Sequence, residues 1–248
     1  MNFYAIFKKE CKSYFSSLIV YIVLATFLLV SGYFFYTDLI YFVLMGMSDI
    51  QLWMWQYLFN DIRFVLLFII PLLTMRLFAE EKKSGTIELL FTYPLKDRDI
   101  VMGKFAACMV IFTLMLILSL SYPLTLHFIF PGQVNPAHFF TIYLGTFLLG
   151  CAFVSCGIFI SSLTENQVVA AIVTMCFLMF FWFVAWNEGV GGETIVNILL
   201  RLSFPDHYNS FLAGAVETKN LTFFFSFIVF FLFLTMRSLE SRSWKGRR

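Results

Sequence analysis

A chain of 248 residues that is 60% hydrophobic, 20% aromatic and only 13% charged is too apolar for a soluble domain, in which charged side chains make up about a quarter. It reads as an all-α membrane protein. A net charge of +2 implies no nucleic-acid partner, and Cys11, Cys108, Cys151, Cys156 and Cys176 all lie in or beside apolar runs, which argues against a disulfide framework.

The opening stretch MNFYAIFKKECKSYF has neither the early apolar core nor the small-residue cleavage site of a signal peptide. Phe3, Ile6, Phe7, Tyr14 and Phe15 recur at helical spacing with Lys8, Lys9, Lys12 and Ser13 between them. That pattern predicts an interfacial helix over residues 1–16, lying in the headgroup layer among membrane lipids; a plain basic flank that sets topology is the alternative.

A membrane-crossing helix needs about 20 mostly apolar residues, so the gaps between charges locate the spans. Ser13 to Thr37 carries no charge and places span one at 18–36. Phe64 to Met75 is uncharged but short; flanking residues extend it to a second span at 57–79. From Phe105 to Thr164 there is no Asp, Glu, Lys or Arg, too long a run for one helix, and FPGQVNPAH (Phe130 to His138) supplies a turn in its middle. Spans three and four are therefore expected at 105–129 and 139–161, followed by span five at 166–187 and span six at 221–236. Within span four, GTFLLGCAFVSCG (Gly145 to Gly157) is rich in small residues, which let helices approach closely, either inside the subunit or at a dimer face.

The connections divide their Lys and Arg residues 14 to 3 between the two sides, which predicts that both termini and the connection between spans two and three are cytoplasmic. That connection, RLFAEEKKSGTIELLFTYPLKDRDIVMGK (Arg76 to Lys104), holds 11 of the 32 charged residues. Ser84-Gly85 should close the helix that ends in Glu80, Glu81, Lys82 and Lys83, since glycine readily takes the left-handed conformation. Thr86 to Thr92 then reads as a two-turn helix with Ile87, Leu90 and Phe91 on one side, stopped by Tyr93-Pro94. Asp97 is placed as the N-cap of the next helix, with Asp99 in its first turn. Lys82 is expected on a solvated flank. A helix this short needs a surface to pack on, and the residues leave two open: the headgroups or its own bundle, or a groove on a cytoplasmic partner.

The same stretch resembles the hallmark connection of ATP-binding-cassette permeases of the type-2 exporter class, with Arg76, Ala79-Glu80-Glu81-Lys82, Ser84-Gly85-Thr86, Glu88, Leu89-Leu90, Pro94 and Gly103-Lys104 in the places of that pattern. FKKECKSYFSSLIVYIV, ISSLTENQVVAA and the run from Phe204 to Trp244 are similar to its gliding-motility-type branch, from which Ser203, Phe204, Pro205 and Tyr208 depart slightly. The resemblance implies six transmembrane helices in the inner membrane, a cytoplasmic coupling helix between helices two and three, and an ATPase-coupling interface made of Glu80, Glu81, Lys82, Lys83, Gly85, Thr86, Ile87, Glu88, Leu89, Leu90, Phe91 and Pro94. It also implies a second permease, identical or related, with or without an extracytoplasmic domain. The sequence has no G-x-x-x-x-G-K-[ST] loop, so ATP and Mg are expected on a separate ATPase polypeptide, and this chain is expected to be a transporter subunit and no enzyme. The reading from another class is a non-transporting membrane anchor or assembly factor.

Other candidate sites are weaker. His127, His138 and His207 are scattered, Met45, Met47 and Met54 suggest soft-metal binding only by residue type, and Asn60, Asp61 and Arg63 are expected to cap span two. Thr194 to Phe204 is a candidate re-entrant segment in which Arg201 would need a partner or a water-filled cavity.

Overall fold

The structure, a computed structural model, describes residues 2–45, 50–86, 96–129, 136–183 and 201–245. Among them every element of secondary structure is helical: α1 (Asn2–Ser16), α2 (Leu18–Met45), α3 (Ile50–Thr74), α4 (Arg76–Lys83), α5 (Asp97–Ser119), α6 (Ser121–Ile129), α7 (Pro136–Leu163), α8 (Gln167–Phe183), α9 (Phe204–Leu212) and α10 (Thr218–Lys245). Five stretches are long and apolar enough to cross a membrane: Leu18–Leu44, Met54–Lys83, Asp97–Leu126, Pro136–Leu163 and Thr218–Glu240. Helix α8 is apolar over 17 residues, and the end of the fifth predicted span, 184–187, lies outside the described residues.

The long helices mostly exceed the expected spans, because polar residues do not stop a helix unless they cap it. Helix α2 runs through Thr37 and Asp38, where the Thr37 hydroxyl donates back to the carbonyls of Tyr33 (3.1 Å) and Phe34 (2.9 Å). Asn60, Asp61 and Arg63 likewise lie well inside α3 and cap nothing. The predicted third span instead divides at Leu120, and α6 restarts with Pro123 in its first turn, where a missing N–H removes no helical bond. Helix α5 has Lys96, with extended backbone, at its N-cap in place of the expected Asp97; Asp97 and Asp99 both sit in the first turn and favour the positive end of the helix dipole.

Helix α7 is the pillar of the bundle, packing against α3, α4, α5, α8, α9 and α10, while α2 and α10 are the least enclosed of the crossing helices. Its glycines explain how so many neighbours fit. A Cβ on Gly145 would overlap Phe211, one on Gly150 would overlap Phe112, and one on Gly157 would overlap Thr74, so α9, α5 and α3 each lie against bare α7 backbone. The small residues of this span are thus used inside the subunit.

Helix α9 is a short element folded back along α7. Phe204 meets Phe153 (5.2 Å between ring centroids), Phe211 lies on Gly145, and Gly214, just after the helix, lies on His138. Those partners step back by fifteen residues along α7, about 22 Å at 1.5 Å per residue, so α9 starts halfway down the pillar and climbs to its first turn. Ser203 is extended and Pro205 falls in the first turn, which fixes the start of the helix. The re-entrant segment expected at 194–204 mostly lies outside the described residues; the buried helix begins where that segment ends.

Gly157→Ala should lower the thermal unfolding midpoint of the detergent-solubilised chain by the equivalent of about 1–3 kcal/mol of overpacking. Gly32→Ala is the control, since its Cβ would meet the Tyr122 hydroxyl at an ordinary 3.6 Å, and it should leave the midpoint unchanged or slightly raised.

Candidate functional site

The end of the bundle that carries α4 collects the charges. Helix α4 continues α3 after a break. Pro71 lacks the N–H that would bond within α3, and the Ser161 hydroxyl of α7 inserts into the next turn, accepting from the backbone N–H groups of Phe78 and Ala79 (both 3.2 Å) and donating to the Met75 carbonyl (3.0 Å). One hydroxyl thereby satisfies three backbone groups at the joint. At the other end Gly85 takes φ +69°, as a helix-closing glycine should, and Gly85 N–H donates to Lys82 O (3.2 Å).

The predicted interface residues separate into three sets. Glu80, Lys83, Gly85 and Thr86 are exposed. Glu81 and Lys82 turn inward, which corrects the expectation for Lys82: it is 7% exposed, and its ammonium donates to the carbonyl of Ser162 at the end of α7. The cause for Lys82 is the packing of α4 on α7, whereas Glu81 turns toward α1 and α5. Ile87, Glu88, Leu89, Leu90, Phe91 and Pro94 lie outside the described residues, and with them the two-turn helix expected at 86–92.

Glu81 faces the centre of this end. Lys104, two turns into α5, has a side chain only 1% exposed; its ammonium lies 3.0 Å from Glu10 Oε1 of α1 and 3.0 Å from Glu81 Oε2 of α4, and 5.1 Å from the centre of the Phe78 ring. Lys9 adds a second, exposed ammonium 3.2 Å from Glu81 Oε1. The helix that leads into the charged connection and the helix that leads out of it are therefore joined through one lysine, which also holds α1. Backbone contact backs the ion pairs: a Cβ on Gly103 would come within 2.8 Å of Ile6 Cγ2. The Tyr14 hydroxyl donates to Leu73 O (3.1 Å), and burial raises its pKa well above the usual range, so it remains a neutral donor. Cys11, on the same helix, is also raised by burial and then by Glu10, which keeps it a thiol. A cavity of about 310 Å³ lies beside the network, with Arg76, Glu80 and Ser13 on its wall.

Sequence reasoning missed Glu10 and Lys104 as a pair. The available signal was that Lys104 is followed by sixty residues without a charge, and a lysine at the head of so apolar a run needs a carboxylate. The stripe on α1 also divides: Ile6 and Tyr14 are buried against the bundle, while Phe3, Tyr4 and Phe15 are exposed.

The remaining candidates are structural. Among the described residues no three His, Cys, Asp or Glu side chains gather as a metal site. Met54 is fully buried, and Met47 lies outside the described residues. His207 is held between Asn220 Oδ1 (2.7 Å) and the carbonyl of Arg201 (3.1 Å), and Arg63 donates to Asn209 Oδ1 (3.1 Å) with its guanidinium 4.6 Å from the Trp182 ring.

A bundle of helices this long and apolar is that of an integral membrane protein. The chain matches the ABC-2 family transporter protein over residues 4–239, from α1 almost to the end of α10, and belongs to that family. It is a membrane component of an ATP-binding-cassette transporter, and membership implies an ABC ATPase as partner in general. Among curated proteins none matches the chain.

Removing one member of a buried ion cluster leaves the others uncompensated, typically at a cost of about 3–5 kcal/mol. Lys104→Met should therefore destabilise the chain by about 3 kcal/mol, and adding Glu10→Gln with Glu81→Gln should recover much of the loss, read as thermal midpoints in one detergent. Lys82→Ala should cost about 1–3 kcal/mol in the same assay, because it leaves a buried carbonyl without its donor.

Proposed function

We propose that this chain is the permease subunit of an ATP-binding-cassette exporter, in which a separate ATPase binds Mg and ATP and drives the connection between α4 and α5. The observation that carries the reading is the Lys104 cluster: the two helices flanking the connection are fastened to each other and to α1, so a push on residues 87–95 moves three helices as one body. Ser161 passes the same displacement from the α3–α4 joint to α7. The missing phosphate-cradling loop supports a division of labour between two polypeptides.

In this reading α8 completes a set of six spans, both termini and the charged end are cytoplasmic in the inner membrane, and a second permease stands beside the chain. The three stretches similar to the gliding-motility-type branch support placing it there. Residues 86–92 form the coupling helix, with Leu90 and Phe91 as its apolar anchors and Glu88 at the rim. The action on the substrate is export or mechanical work across the membrane.

Accessibility labelling of single cysteines should mark Asn135 from outside and Lys83 only from inside; labelling of both from one side would end the six-span arrangement. Burying a leucine contributes about 1.5–3 kcal/mol, and a carboxylate in its place removes that and adds a desolvation cost. Leu90→Asp combined with Phe91→Asp should therefore leave the chain inserted and monodisperse but without its co-purifying ATPase. Retention of the ATPase would show that the helix rests on the membrane or on its own bundle. Hydrolysis by the intact complex should rise with transported substrate, whereas an anchor would show no such rise. The isolated chain should bind no ATP.

A further inference from the structure

At the end of the bundle opposite the Lys104 cluster, α9 and α10 form a groove of about 810 Å³ that the proposed coupling does not use. Its cationic groups are Arg201 and Lys219, both exposed; His207, Thr222 and Ser226 add polar atoms to the lining, and its apolar wall is made of Leu202, Phe223, Phe227 and Phe230. The three phenylalanines follow one another at intervals of four and three residues, the spacing that places side chains on one face of a helix. From Lys219 to Phe230 the groove descends about 16 Å at 1.5 Å per residue, which is close to half of a hydrocarbon core about 30 Å thick. It therefore has the length of one leaflet, with a cation at the top and an aromatic wall below.

The placement of the cations needs a ligand to account for it. Arg201 precedes α9, whose first residue, Phe204, lies beside Phe227 of α10 (5.0 Å) and Phe153 of α7. Among the described residues no carboxylate pairs with Arg201, and a guanidinium beside an aromatic wall that faces the membrane is costly without an anion. The Arg201 carbonyl lies 3.1 Å from His207 Nε2, and the imidazole stacks on Phe223 at 4.0 Å. Lys219 sits in the first turn of α10, where the helix dipole disfavours a cation. The nearby Glu217 carboxylate is engaged by Asn220 (3.4 Å).

We infer that this groove is a binding site for an anionic membrane lipid, whose phosphate pairs with Arg201 and Lys219 and whose acyl chain lies along Phe223, Phe227 and Phe230. The complementarity is of charge at the top and of apolar length below. The site goes beyond the coupling to an ATPase and does not depend on it.

The test is native mass spectrometry of the full chain released from neutral detergent with equimolar phosphatidylglycerol and phosphatidylcholine of identical acyl chains. Wild type should retain phosphatidylglycerol over phosphatidylcholine by about tenfold, the scale that two basic residues supply at a membrane surface. Arg201→Gln with Lys219→Gln should bring the ratio close to one; both side chains are exposed, and equal thermal midpoints would show that the fold is kept. Phe230→Ala should weaken retention of both lipids. Lys8→Gln with Lys12→Gln, exposed on α1 at the other end, should leave the preference intact. The inference is overturned if the Arg201 and Lys219 variant keeps the wild-type ratio, or if the Lys8 and Lys12 pair loses it equally. Displacement of the lipid by millimolar glycerol phosphate would assign the cations to a free anion instead. A dimer that excludes phosphatidylglycerol and dissociates in the Arg201 and Lys219 variant would assign the groove to a second copy.

Discussion

A lysine ammonium with almost no exposure must be neutralised, and among the described residues the carboxylates that pair with Lys104 belong to two other helices. That requirement orders the charged end of the molecule. Glu10 is useful only if α1 lies against α5, and Glu81 only if α4 reaches past the end of α3 and turns its second carboxylate inward. Gly103 removes the side chain that would keep α1 away, and Tyr14 ties the end of α1 to the Leu73 carbonyl. Desolvating three charges is expensive, so such a cluster is weak evidence for stability on its own. It is strong evidence for a fixed arrangement, because the cost is offset only when all three members are in place.

The second constraint is backbone contact along α7. Ion pairs fasten α1, α4 and α5 to one another, and glycines fasten α3, α5 and α9 to the pillar. Ser161 joins the two systems: it mends the joint that Pro71 opens between α3 and α4 with groups that belong to α7. A hydroxyl in a hydrogen-bond ladder holds the kink at one place, so α4 behaves as an arm of fixed angle rather than as the frayed end of a long span.

Much of this was legible in the sequence where a one-dimensional signal exists. Long apolar runs mark helices whatever they pack on, and Gly85 is a local breaker whose effect needs no partner. The boundaries were read short because charge was taken as a stop, and α2 passes Asp38 without one. The inward turn of Glu81 and Lys82 was not legible. Four consecutive charges look solvated in a string, and the surfaces beside them, α7 for Lys82 and α1 with α5 for Glu81, decide which two are enclosed. The same holds for α9. Its residues FPDHYNSFL carry no long apolar run, yet Phe211 fills the space that Gly145 leaves open, Phe204 packs on Phe153, and the Tyr208 hydroxyl meets Thr146 at 2.8 Å. The complementarity lies between segments some sixty residues apart, which no local pattern records.

The two ends of the bundle are held by different physics. At the charged end the contacts are ion pairs among nearly dry groups, which tolerate little displacement, because Coulomb attraction at low dielectric is lost as soon as water enters. At the opposite end α9 is held by stacked and edge-on phenylalanines, where Phe204 touches Phe153, Phe181, Phe223, Phe224 and Phe227. Aromatic contacts are worth about 0.5–1.5 kcal/mol each beyond burial and accept several geometries. A force entering at the charged end is therefore transmitted there as rigid motion, and it is the aromatic end that can repack in response. In the proposed exporter this places the push and the opening at opposite ends of α7, with the glycine contacts of that helix as the fixed element between them.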